Sequence, residues 1–195
     1  MQNEVVVKNE IIDAAGKLFQ QFGLHKTTME DIARQTGKSK STLYYFFKNK
    51  NEVFDAVVTR EIDEVALAVQ KRVAEAKTPQ EKIMAYALCN FRELKCKVIL
   101  YKLVCGEIKG NLNRLMLSLR AKFDIQEVEF LSTILTEGIQ QGILKSIEME
   151  DVPVLSHTIV SALRGIEVDL FIENKLPGFE DRIDKITGML IRGLL

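Results

Sequence analysis

Residues 27–50, TTMEDIARQTGKSKSTLYYFFKNK, decide the fold of this chain. They read as two short helices joined by a tight turn. Thr28 is placed to cap the first helix, and Asp31, three residues on, to reach back to that cap. Met29, Ile32 and Ala33 give the helix an apolar stripe at spacings of three and four. Gly37 stands where the chain leaves the helix through a left-handed backbone, which suits glycine. Ser39 is a second N-cap, opening a helix to about residue 47 with Leu43 and Phe47 turned inward. Lys40, Ser41, Thr42, Tyr44 and Tyr45 point away from that seam. Ala33 lies four residues before Gly37 and Leu43 six after it. A helix-turn-helix needs that pattern: a small residue at the crossing, glycine in the turn and an apolar lock on the second helix. The outward hydroxyls and ammonium groups, beside a helix N-terminus, suit the phosphates of DNA. An ordinary hairpin with a solvated face is the other reading, and it leaves two adjacent exposed tyrosines unexplained.

Working outward, the 195 residues suffice for a small domain and a larger one. A content of 47% hydrophobic and 28% charged residues is globular in character, not disordered. The net charge is zero, yet residues 26–50 hold six basic residues against two acidic ones, so the rest of the chain carries the balancing acids. A basic head on a mildly acidic body suits a module that docks on DNA. The start, MQNEVVVKNE, is too short in apolar length for a secretion signal. No apolar run approaches the roughly 18 residues of a membrane span. A reducing cytoplasm is therefore expected.

A third helix is expected over about residues 5–22, where Ile11, Ala15, Leu18, Phe19 and Phe22 share one face. Gly23 ends it and Leu24 follows as an apolar partner. With these pieces together, residues 19–58, FQQFGLHKTTMEDIARQTGKSKSTLYYFFKNKNEVFDAVV, resemble the N-terminal domain of the TetR family of bacterial transcriptional regulators. The matching features are the Phe22-Gly23 helix end, the threonines before the second helix, Ile32-Ala33 ahead of Gly37, Leu43-Tyr44-Tyr45-x-Phe47 and Lys48-x-Lys50. The likeness covers about residues 8–58. It implies that Thr28, Ser39, Lys40, Tyr44, Tyr45 and Lys50 contact phosphates or base edges. Two positions depart from the family pattern. Lys38 stands where a small apolar residue is usual, and Phe46 where Tyr or His is frequent. The expected DNA-binding set is Thr27, Thr28, Lys38, Ser39, Lys40, Ser41, Thr42, Tyr44, Tyr45 and Lys50. Of these, Lys40, Ser41 and Thr42 are the ones placed to read base edges.

Beyond the head, Asn49 and Glu52 open a long helix whose apolar positions, from Val53 to Val73, persist to about residue 76. Thr78-Pro79-Gln80-Glu81 restarts the chain in a helix to about residue 97. Gly106 and Gly110 predict a short helix and a bend over residues 98–113. A long helix over 115–141 ends at Gly142. Asp151 caps another to about residue 174, and Pro177-Gly178 separates it from a last helix over 180–195. No segment alternates with period two, so the fold class is all-α with about nine helices. The expected domains are a helix-turn-helix DNA-binding domain over 1–48 and a helical effector-binding and dimerisation domain over 49–195.

The last two helices carry more apolar surface than one core needs, with Ser161, Ala162 and Gly165 letting a neighbour approach closely. A buried central helix is one explanation. The resemblance implies instead a four-helix dimer interface built on Leu163, Ile166, Leu170, Ile186, Met189 and Leu190, and a homodimer suits two half-sites on DNA. It also implies a small-molecule effector in the body, with Met84, Tyr86, Phe91, Tyr101, Met116, Phe123, Phe130 and His157 as lining residues that could equally be plain core. Few interior charges suit an apolar, neutral or lipid-like effector. Cys89 and Cys96 share a helix face, which permits a thiol sensor with Cys105; small buried hydrophobes are the plainer reading. His25 and His157 are far apart, so neither a metal site nor a cofactor is expected. An enzyme would need a nucleophile with its base, or a phosphate loop, and neither is present. The reading is a dimeric regulator, a repressor released from a palindromic operator by its effector. An activator or a thiol-responsive regulator is the alternative, and a helical protein-binding adaptor is more distant.

Overall fold

The computed structural model describes residues 2–97, 113–171, 175 and 178–192. Tyr101, Cys105 and all but the last residue of the expected short helix and bend over 98–113 lie outside them, as do the side chains of Cys96, Met116 and Leu190. The described residues form eight α-helices and no strand. They are α1 (Gln2–Phe22), α2 (Met29–Thr36), α3 (Lys40–Phe46), α4 (Lys50–Ala74), α5 (Pro79–Cys96), α6 (Asn113–Gln140), α7 (Val152–Phe171) and α8 (Ile183–Arg192). No described helix is long and apolar enough to cross a membrane. The chain forms two compact units, residues 1–63 and, in the second, residues 64–97 with the described part of 101–195. The division falls inside α4, whose first half belongs to the head and second half to the body.

In the head, the face expected of α1 is buried at Ile11, Ala15, Leu18 and Phe19, and Phe19 meets Phe54 of α4 edge-on at 5.4 Å. Phe22 departs from that face. It is 50% exposed, because α1 ends there and Gly23, at φ 79°, turns the chain away. Leu24 takes the buried place instead. Asn49 caps α4 by accepting from the Glu52 amide at 3.0 Å, while Glu52 accepts from the Lys48 amide at 2.8 Å. The valines and isoleucine of α4 from Val53 to Ile62 then complete the head's core.

The body begins with the second half of α4, which buries Val65, Val69 and Val73. Thr78 caps α5 by accepting from the Glu81 amide, and Glu81 accepts from the Lys77 and Thr78 amides. These backbone donors hold the Glu81 carboxyl below the usual range. Ile83, Tyr86, Ala87 and Phe91 of α5, Leu131, Ile134 and Leu135 of α6 and Val160 of α7 form the interior. The end of α6 comes very close to the start of α5. A Cβ at Gly138 would stand 2.6 Å from Leu144 Cδ1 and 3.0 Å from Pro79 Cβ, so only glycine fits there without a shift. A turn of 3-10 helix at Met149–Asp151 leads into α7, and another at Glu180–Arg182 leads into α8.

Candidate functional site

The α2–α3 pair is built by short-range chemistry. The Thr28 hydroxyl accepts from the Asp31 amide at 3.1 Å and donates to the Asp31 carboxylate at 2.6 Å, and the Thr28 amide donates to the same carboxylate at 3.0 Å. This capping box satisfies α2's first donors and, through Thr28, holds the Asp31 carboxyl below its ordinary value. Gly37 leaves α2 at φ 65°, donating back toward Ala33 and Arg34. Ser39 caps α3 by accepting from the Thr42 amide at 3.1 Å. Ile32 and Leu43 are fully buried, with Ala33 and Phe47 nearly so, which is the expected lock.

The outward face is equally well defined. Tyr44 and Tyr45 are 52% and 72% exposed, and Thr28, Ser39, Lys40 and Ser41 are exposed beside them, with Thr42 partly so. The Ser39 hydroxyl lies 2.8 Å from the hydroxyls of both Ser41 and Thr42, so three hydroxyls cluster at the start of α3. The charged groups here have partners. Lys40 pairs with Glu30, Lys38 with Glu10 at 3.0 Å, and Arg34 with Asp31 at 3.2 Å. The Tyr45 hydroxyl donates to Glu4 at 2.9 Å, and that bond pushes the phenol above its usual pKa.

Two expected contact residues have work inside the head. Thr27 is 2% exposed, and its hydroxyl donates to the Gly23 carbonyl at 2.8 Å, so it has no surface for a phosphate. The Lys50 ammonium donates to the carbonyls of Leu24 at 2.7 Å and Thr27 at 2.8 Å, with His25 at 3.4 Å. It ties down the α1–α2 turn. Sequence spacing could not reveal either bond, because each partner is a backbone carbonyl.

In the body, the expected effector residues scatter. Tyr86 and Phe91 are core, Phe91 packing edge-on against Phe179 at 6.1 Å. Phe123 and Phe130 are partly buried, Phe130 lying beside the Tyr86 ring at 6.1 Å. His157 is exposed on α7, between buried Ser156 and Val160. Met84 lies in an open groove of about 590 Å³ with Ala85, Leu88 and Cys89 of α5, bordered by Arg72 and Arg92 and by Gly188 of α8. Burial pushes the Cys89 thiol up, which disfavours a reactive thiolate. Among the described residues, no group of His, Cys, Asp and Glu is placed to hold a metal.

A polar cluster that spacing does not disclose lies between α5, α6 and α7. Glu127 accepts from the Tyr86 hydroxyl and the Asn90 amide, each at 2.9 Å. Burial raises its carboxyl to about 7, and burial together with Glu127 holds the Tyr86 phenol far above its usual range. One turn before it, Asp124 pairs with Arg164 of α7. The expected dimer residues Leu163, Ile166, Leu170 and Ile186 are partly buried against Phe91, Phe179 and Ile183 of the same chain, whereas Met189 is 55% exposed.

A capped helix-turn-helix with hydroxyls, cations and two exposed tyrosines on its outer face is a bacterial transcription regulator's DNA-binding head. Residues 11–57, which make up most of this head, match the family model for bacterial regulatory proteins, tetR family. It is 26% identical over 148 residues to an uncharacterized HTH-type transcriptional regulator, YhgD, of Bacillus subtilis, spanning 73% of this chain and 74% of that one. It is 29% identical over 141 residues to the fatty acid metabolism regulator protein of the same organism, spanning 70% of each. Among solved structures, the transcriptional regulator FadR of Bacillus subtilis in complex with stearoyl-CoA superposes with a TM-score of 0.73 at 22% identity, covering 93% of this chain and 96% of that one.

Proposed function

We propose that this protein is a homodimeric repressor that holds a two-fold operator through α2 and α3 and is released by an acyl-thioester-type effector bound in its body. The observation that carries the DNA reading is the outer face of α3, where Tyr44, Tyr45, Ser41 and Lys40 stand clear of the core on a rigidly capped helix. One head offers few base contacts, and a two-fold pair reads two half-sites. The exposed Met189, with the small exposed residues Ser161, Ala162 and Gly165 on α7, supports pairing through α7 and α8. An effector with a long apolar chain suits the body, whose groove has an apolar floor of Met84, Ala85 and Leu88 and a mixed border of Arg72, Arg92, Glu81 and Glu93. The stearoyl-CoA held by the FadR structure gives that class its chemistry. The relatives are transcriptional regulators, which supports a non-enzymatic role in the cytoplasm.

Selection of bound sequences from a random DNA pool tests the reading. A palindromic consensus is expected, released by a long-chain acyl-CoA and not by free coenzyme A. An unsymmetric consensus would remove the dimer, and release by neither compound would remove the effector class. Met189→Lys is expected to give a monomer by sedimentation that still folds but no longer holds the full operator; a persisting dimer would discard α8 as the interface.

A further inference from the structure

The recognition side of the free head already has its counterions built in. Lys40 is paired with Glu30 of α2, Lys38 with Glu10 of α1, and Tyr45 hydrogen-bonds to Glu4 of α1. Each acid belongs to a different segment from the donor it meets, Lys38 lying in the turn between α2 and α3. Residues 1–63 contain nine Lys or Arg and nine Asp or Glu, so the basic stretch over 26–50 is neutralised within its own unit. Lys26 and Lys48 are exposed without an acidic partner among the described residues, and they flank the motif. Lys38, Lys40 and Tyr45 thus each meet a carboxylate before they could meet a phosphate.

We propose that Glu4, Glu10 and Glu30 are intramolecular stand-ins for DNA phosphates, so that binding by this head is an exchange of partners rather than a simple gain of ion pairs. The inference rests on the DNA-binding reading. A carboxylate and a phosphate oxygen both accept charge-assisted hydrogen bonds from an ammonium group, so the two compete for one cation. Exposed pairs of this kind are worth from almost nothing to about 1 kcal/mol each, and every pair broken on docking lowers the affinity for any duplex by that amount. Sequence-independent binding, which is almost wholly electrostatic, feels the loss directly. Lys26 and Lys48 keep the long-range attraction, while Glu4, Glu10 and Glu30 set how tightly the encounter holds.

Binding of the full chain to a fluorescein-labelled random-sequence duplex, followed by anisotropy at low salt, provides the test. Glu30→Gln is expected to tighten binding by about two- to fivefold, the range that one exposed pair supports. Lys40→Met removes the partner, and in that background Glu30→Gln should have little further effect. An equal gain in both backgrounds would overturn the exchange in favour of general charge repulsion, as would no gain from Glu30→Gln in an otherwise wild-type chain. If the wild-type chain binds no duplex with salt dependence, the DNA-binding reading itself fails. Circular dichroism confirms that each variant keeps its helices.

Discussion

The head and the body handle carboxyl groups in opposite ways. The head keeps them outside, as exposed carboxylates paired across neighbouring helices, with Asp31 held low by Thr28. The body draws one carboxyl inward, with Glu127 among Tyr86, Asn90 and the Asp124–Arg164 pair, and burial raises it to about 7. The difference tracks what each unit is for in the proposed function. A surface that exchanges partners with a polyanion needs charges that water already screens. An interior that changes shape for a ligand can use a polar contact joining three helices, because such a contact is strong when satisfied and costly when broken.

The sharpest way to break this comparison is to empty the cores. Leu43→Ala removes a fully buried side chain from the seam of the helix-turn-helix and should cost about 2–5 kcal/mol. Hydrogen exchange should rise across α2 and α3 and leave α6 protected; equal loosening throughout would mean that the two units unfold as one. Gly138→Ala is the counterpart in the body, forcing a Cβ against Leu144 and Pro79. Urea unfolding should show a loss of about 1–3 kcal/mol from that overpacking. An unchanged midpoint would mean that Leu144 moves aside freely.

The pH response should separate the units by sign. Asp31 has a lowered pKa in the fold, so its contribution is present above the usual value of 3.8 and fades as pH falls through the lowered one. Glu127 is raised from 4.5 to about 7, so the folded body keeps a proton that the unfolded chain releases. Its contribution is complete below about 4.5 and is lost as pH rises toward 7 and just beyond. Glu127→Gln keeps a carbonyl acceptor for Tyr86 and Asn90 without a charge. The variant should therefore flatten the fall in thermal stability of the body across that window by up to about 1 kcal/mol per pH unit. The same pH slope in variant and wild type would show that Glu127 is not the group responsible.

How far the sequence could be read follows from the range of its interactions. The caps at Thr28 and Ser39 and the glycine stops at Gly23, Gly37 and Gly142 act within about four residues, and all of them stand where spacing places them. The run of buried positions along α4 was equally plain, because a regular helix repeats its inner face. Contacts between distant residues were not. Tyr86 and Glu127 are 41 residues apart, and neither has a pattern around it that points to the other. Nor does spacing say that His157, expected as a lining residue, is exposed on α7. The charge excess over residues 26–50 was real, but the acids that offset it come partly from α1, outside the motif.

Lys50 carries a chemical consequence of its own. Its ammonium group faces the carbonyls of Leu24, His25 and Thr27, an arrangement that matches the three donors of a tetrahedral nitrogen and not the flat fork of a guanidinium. A nitrogen so held must first leave those carbonyls before a reagent can reach it. In a reductive-methylation time course Lys50 should therefore lag behind Lys48, its exposed neighbour two residues away, and its labelling rate becomes a clock for the opening of the α1–α2 turn.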